Sequence, residues 1–153
     1  MKLQNKPYST GQQNTILDEF QMFRLSEGWC PHNCPWCREP KEAIPKQEYP
    51  IPEIVRNDVR LIDMNILASP NGVEKIRAFK DIRVNGKVVY PWLECGIDFR
   101  FLTPEIAQTL KDSRFGITPQ GMKKRNIHIA WDWRYSDQKR IKKAIDILKK
   151  VVS

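Results

Sequence analysis

Three cysteines fall within eight residues of this 153-residue chain, in the string Trp29-Cys30-Pro31-His32-Asn33-Cys34-Pro35-Trp36-Cys37. Thiolates so close in one loop can converge on a single inorganic centre, and soft sulfur ligands favour an iron–sulfur cluster or zinc. The C-x-x-x-C-x-x-C spacing supplies three ligands. A cubane has four irons, so three cysteines leave one iron able to bind a small molecule, whereas an electron carrier or a structural site normally uses four protein ligands. The competing reading is a structural zinc knuckle completed by Cys95 or His32, because zinc accepts any tetrahedral mixture of sulfur and nitrogen. Cys95 lies in an apolar stretch, which predicts a buried and inert thiol. His32 reads as a loop residue.

The rest of the composition sets the context. Length and a 41% hydrophobic content predict one domain with one sizeable core. Four cysteines could form two disulfides in a secreted protein, but the clustering of three of them and the polar start from Met1 to Asn14, without an apolar signal segment, point to metal and to a soluble, cytoplasmic protein. No run approaches the roughly 18 apolar residues of a membrane span. The net charge of +8 suits a polyanionic partner such as nucleic acid, electrostatically. Much of it sits in Lys123, Lys124 and Arg125 and in the helical run Lys139, Arg140, Lys142, Lys143, Lys149 and Lys150, where a solvated face is a commoner explanation than a binding patch.

The elements that must position the cysteines follow from hydrophobic period and punctuation. Residues 1–18 read as a polar arm and 19–153 as the folded domain. Phe20, Met22, Phe23 and Leu25 predict a short strand running into Gly28 and the cysteine loop. The proline density from Pro31 to Pro52 excludes a long helix. Val59 to Leu67 predicts a strand buried on both faces, interrupted by Asp63 and Asn65. Asn71 with Glu74 resembles a capping box ahead of a helix through about Asp81, with Val73, Ile76 and Phe79 inward. After the Asn85-Gly86 turn, Val88 to Ile97 predicts another strand. Thr103-Pro104-Glu105 then marks a helix start, with Ile106, Leu110 and Phe115 as its inner face. Ile127 to Trp131 predicts the fourth strand, and Ser136 the cap of a last helix with Ile141, Ile145, Leu148 and Val152 at helical spacing. Strand and helix thus alternate about four times, the pattern of an α/β fold built on a parallel sheet.

The cysteine string, with its aromatic residue just before the last cysteine and its place after a first strand, resembles the signature loop of the radical S-adenosylmethionine (SAM) superfamily. The resemblance covers roughly Phe20 to Val152, more loosely through Leu61-Ile62-Asp63-Met64-Asn65, Gly96-Ile97-Asp98-Phe99-Arg100-Phe101-Leu102-Thr103-Pro104-Glu105 and Ile129-Ala130-Trp131-Asp132. It implies a partial parallel (βα) barrel of the radical SAM type, here of about four βα units. It also implies an oxygen-sensitive [4Fe-4S] cluster on Cys30, Cys34 and Cys37, with SAM chelating the open iron. Reduction by a donor such as flavodoxin or ferredoxin would cleave SAM to a 5′-deoxyadenosyl radical that abstracts hydrogen from a substrate.

Because loops after the strands form the active face of parallel barrels, the polar candidates for SAM are Asp63, Asn65, Glu94, Asp98, Arg100 and Asp132, with Trp36 packing near the adenine. Acceptors at these places suit the methionine ammonium and the ribose hydroxyls. The chain departs from the superfamily in lacking a Gly-Glu type pair after the second strand and in ending after about four units. About two more units would come from a partner completing the barrel or from further chain, unless the chain is a compact member. The alternatives are a basic zinc-binding nucleic-acid module and an inactive fragment of such an enzyme. Substrate and reaction type are left open.

Overall fold

A computed structural model of the chain describes residues 9–34, 37, 44–117, 125–130 and 135–152. The main sheet is built from β1 (Thr15–Ile16), β2 (Gln21–Phe23), β5 (Asp58–Leu61) and β8 (Tyr90–Leu93), in that order. β2, β5 and β8 run parallel, in the register Phe23 beside Leu61 and Leu61 beside Leu93, while β1 joins as an antiparallel edge. β9 (Ile97–Asp98) takes off from the end of β8 and pairs in parallel with β10 (Ile129–Ala130). Two hairpins complete the strands. β3 (Ser26–Glu27) pairs with β4 (Gln47–Glu48), and β6 (Arg83–Val84) with β7 (Lys87–Val88). The second turns on Asn85 and Gly86, with φ of 50° and 74°, the left-handed pair a two-residue hairpin requires.

The parallel strands need crossovers: α1 (Gly72–Ala78) lies between β5 and β8 and α2 (Pro104–Asp112) between β9 and β10, while α3 (Gln138–Val152) follows the last strand. They follow β5, β9 and β10, as the alternation predicts. After β2 the described residues form the cysteine loop and the β3–β4 hairpin in place of a helix. One apolar core joins sheet and helices, with Phe23, Val59 and Leu61 from the strands against Ile76, Phe79, Leu110, Phe115 and Ile141. The sheet does not close on itself among the described residues. No described helix is long and apolar enough to cross a membrane.

Several local expectations change. β5 ends at Leu61, and a 3-10 turn occupies Ile66–Ala68, so Asp63 and Asn65 lie beyond the strand rather than inside it. The expected strand from Val88 to Ile97 breaks at Glu94–Gly96, where Gly96 has φ 78°, and this break leaves Cys95 exposed instead of buried. Asn71 makes no side-chain cap; its backbone and side-chain N–H groups both donate to Glu48, at 2.8 Å each. Thr103 does cap α2, its hydroxyl accepting from Ile106 N at 3.2 Å with Pro104 in the first turn. A 3-10 turn, Tyr135–Asp137, leads into α3 in place of a Ser136 cap. The inner face of α3 is rotated from Ile145, which is 36% exposed, toward buried Ala144.

Phe79 is completely buried and meets Phe115 edge-on at 6.1 Å between ring centroids. Phe79→Ala is expected to lower the stability of the fold by about 3–5 kcal/mol through lost burial and a residual cavity. The check is a urea titration followed by tryptophan fluorescence.

Candidate metal centre

The cysteine loop leaves the β3–β4 hairpin, whose two-residue ladder brings its ends together. Gly28 makes the exit feasible. Its φ is 76°, and a Cβ there would stand 2.5 Å from the carbonyl oxygen of Pro45. Trp29 pins the same place from the other side, its indole N–H donating to Gln47 O at 3.1 Å. Farther along, Cys37 N donates to Cys34 O at 3.0 Å, a turn holding the second and third cysteines together.

Beneath the loop lies a buried carboxylate, Asp63. It accepts from Leu25 N at 3.0 and 3.2 Å and from the Ser26 hydroxyl at 2.8 Å, tying the segment that leads into the loop to the end of β5. Burial pushes its pKa up to about 6 even though the Ser26 and Leu25 donors favour the charged form. Next to it Glu27 is also buried. It accepts from Gly11 N at 3.0 Å, Arg24 at 3.1 Å and the Tyr49 hydroxyl. Burial alone would raise its pKa, but these donors outweigh it and hold the carboxyl below its ordinary range.

The centre of the site is Asp98, at the end of β9. Its Oδ2 accepts from His32 Nε2 at 2.6 Å and from Asn65 Nδ2 at 2.8 Å, and its Oδ1 accepts from Arg100 N at 3.1 Å and Arg100 Nε at 2.8 Å. A carboxylate only accepts, so the His32 proton in this bond resides on Nε2. Burial would raise the Asp98 pKa, but the Arg100 and Asn65 bonds and the Arg100 charge prevail and lower it. Asn65 Nδ2 also lies 3.8 Å from Cys30 Sγ, a hydrogen-bond contact to sulfur. The His32 ring rests near Phe101, at 6.1 Å between centroids.

The structure therefore brings together Cys30, Asn65, Asp98 and Arg100 from the expected set, and adds His32. Asp63 sits one step away, holding the loop's stem. Glu94 does not join them. It is exposed, and its carboxylate lies 3.8 Å from Arg60 Nε. Trp36 and Asp132 lie outside the described residues. His32, weighed from the sequence only as a fourth zinc ligand, enters instead as a partner of Asp98, which lies 66 residues away and leaves no local signal.

Cys30, Cys34 and Cys37 are all half-buried and suit an iron–sulfur cluster in ligand chemistry, three soft thiols in one loop. Among the described residues, no three His, Cys, Asp or Glu side chains are grouped so as to hold a metal ion. Cluster binding would therefore draw the loop together, since metal binding and local folding are coupled. No protein-family model, no curated protein and no solved structure matches the chain.

Asp63 holds a proton more tightly in the folded chain, near pH 6, than at its ordinary 3.8. Its ionisation therefore costs stability above pH 6, and that cost is relieved as pH falls toward 4. Glu27 and Asp98 run the opposite way, their stabilisation being lost on acidification. The two are separated by comparison with Asp63→Asn, which cannot titrate. The stability of the wild type minus that of the variant is expected to rise by up to about 3 kcal/mol between pH 7.5 and pH 4, measured by urea unfolding at each pH.

Proposed function

We propose that this chain is a radical SAM protein with a partial (βα) barrel, acting in the cytoplasm, in which Cys30, Cys34 and Cys37 ligate a [4Fe-4S] cluster whose fourth iron takes SAM. The observation that carries the reading is the meeting of Asn65, four residues beyond β5, and Asp98, at the end of β9, with Cys30 and His32 of the cysteine loop. In parallel α/β folds ligands bind at the carboxyl ends of the strands, and here the Cys30 thiol lies beside Asn65 at that edge. When bound, the cluster would supply the electron that cleaves the sulfonium C–S bond of SAM, starting hydrogen abstraction from a substrate.

The protein's own part is to hold and orient. All four acceptor positions of Asp98 are occupied, so its role is to fix Asn65, Arg100 and the loop rather than to bind the cofactor itself. Asn65 donates through its Nδ2, and its amide oxygen is left as an acceptor suited to the methionine ammonium. The Asn65 donation toward Cys30 Sγ would also stabilise negative charge on a ligating sulfur. Trp36 and Asp132 complete the proposed SAM contacts, and Glu94, turned toward Arg60, is not among them. A flavodoxin- or ferredoxin-type protein is the proposed electron donor, and a partner that adds strands would complete the barrel.

Anaerobic reconstitution with iron and sulfide is expected to give about four irons per chain. The reduced protein should show an EPR signal that shifts on adding SAM. Cys34→Ala should abolish assembly and Cys95→Ala should preserve it. Tight binding of one zinc without iron uptake would overturn the reading, as would loss of the cluster in Cys95→Ala.

A further inference from the structure

The parallel strands have two unlike faces. Val59, Leu61 and Phe23 point into the core under the helices, and the alternating residues Met22, Asp58, Arg60 and Trp92 lie on the opposite face, outside the core cluster. A parallel sheet is ordinarily covered on both faces, so a polar, half-exposed face is a departure with a cause to be found. On it lies a cavity of about 330 Å³ lined by Asp58, Arg60, Trp92, Glu94, Ile117 and His128. That is the size at which small-ligand pockets begin.

The charges of this wall are unbalanced in a telling direction. The chain as a whole carries +8, yet the described residues of the lining supply two carboxylates against one guanidinium. Arg60 is already engaged. Its NH2 group lies 3.5 Å from Asp58 and its Nε 3.8 Å from Glu94, and its guanidinium stacks over Phe20 at 3.9 Å. Both contacts to the carboxylates are longer than a good hydrogen bond, so Asp58 and Glu94 retain acceptor positions toward the cavity. Trp92 supplies an aromatic wall, steadied by His128 edge-on at 6.1 Å between centroids. The face of an indole attracts a cation, and nearby carboxylates add to that attraction. An anion would meet Arg60 only in the company of both carboxylates.

We propose that this cavity binds a small organic cation, an ammonium or guanidinium carried on an apolar body, with Glu94 and Asp58 accepting from the charged group and Trp92 packing against it. The site is separate from the cysteine loop and does not depend on cluster chemistry.

Calorimetric titration of the full chain with three isosteric probes, benzylammonium, benzyl alcohol and benzoate, tests it. Benzylammonium should bind saturably and the other two more weakly. Glu94→Gln, an exposed position whose replacement leaves the fold intact by circular dichroism, should weaken benzylammonium binding without strengthening that of benzyl alcohol. Trp92→Leu should weaken it about 2- to 30-fold, the span of a cation–aromatic contact from exposed to desolvated. Benzoate binding as tightly as benzylammonium would overturn the proposal. So would the absence of saturable benzylammonium binding in the millimolar range, or binding unchanged in both variants. Since no iron is involved, these outcomes are independent of whether a cluster assembles.

Discussion

The arrangement of the candidate centre depends on one carboxylate. Asp98 gathers donors from three separate segments, His32 of the cysteine loop, Asn65 beyond β5 and Arg100 beyond β9. A buried carboxylate left short of partners would be costly, and four donors meet that cost while fixing three segments at once. The register of the parallel sheet makes this feasible. Because Leu61 stands beside Leu93, the segments leaving β5 and β8–β9 emerge at the same edge, and side chains a few residues beyond them meet. Remove the carboxylate, and the histidine, the amide and the guanidinium lose their common acceptor.

A second buried network underlies the first. Asp63 and Glu27 are both nearly sealed from water, yet burial wins at Asp63 and the surrounding donors win at Glu27. The difference lies in the partners. Glu27 has a guanidinium, a phenol and a backbone N–H, whereas among the described residues Asp63 has a hydroxyl and backbone donors and no cation in hydrogen-bond contact. Both carboxylates serve the stem of the cysteine loop. The loop is thus held at its base by Asp63 and Gly28 and a few residues on by the His32–Asp98 bond, with Cys30 between these anchors and Cys34 and Cys37 beyond them.

The two faces of the sheet divide the labour. One carries the core, and with it the stability that holds β2, β5 and β8 in register. The other carries Arg60 between two acids and Trp92 beside His128, an arrangement that contributes little to packing. Exposed ion pairs of this length stabilise a fold only weakly.

The sequence by itself determined what short-range rules govern. The cap and N1 proline at Thr103-Pro104, the Asn85-Gly86 turn and the apolar runs at β2, β5 and β10 are local signals, and each appears close to its expected place. Local rules also explain the failures. Asn71 has the right type for a cap, but Glu48, 23 residues away, takes its donors. Cys95 sits in an apolar stretch, yet the strand breaks there where β8 hands over to β9. Only the tertiary structure decided that Asn65 and Asp98 meet at Cys30, that Glu94 faces Arg60 instead, and that His32 belongs to the centre. Those pairings depend on which strands are neighbours and in what register, and hydrogen bonds spanning 33 to 66 residues leave no periodic trace in the chain.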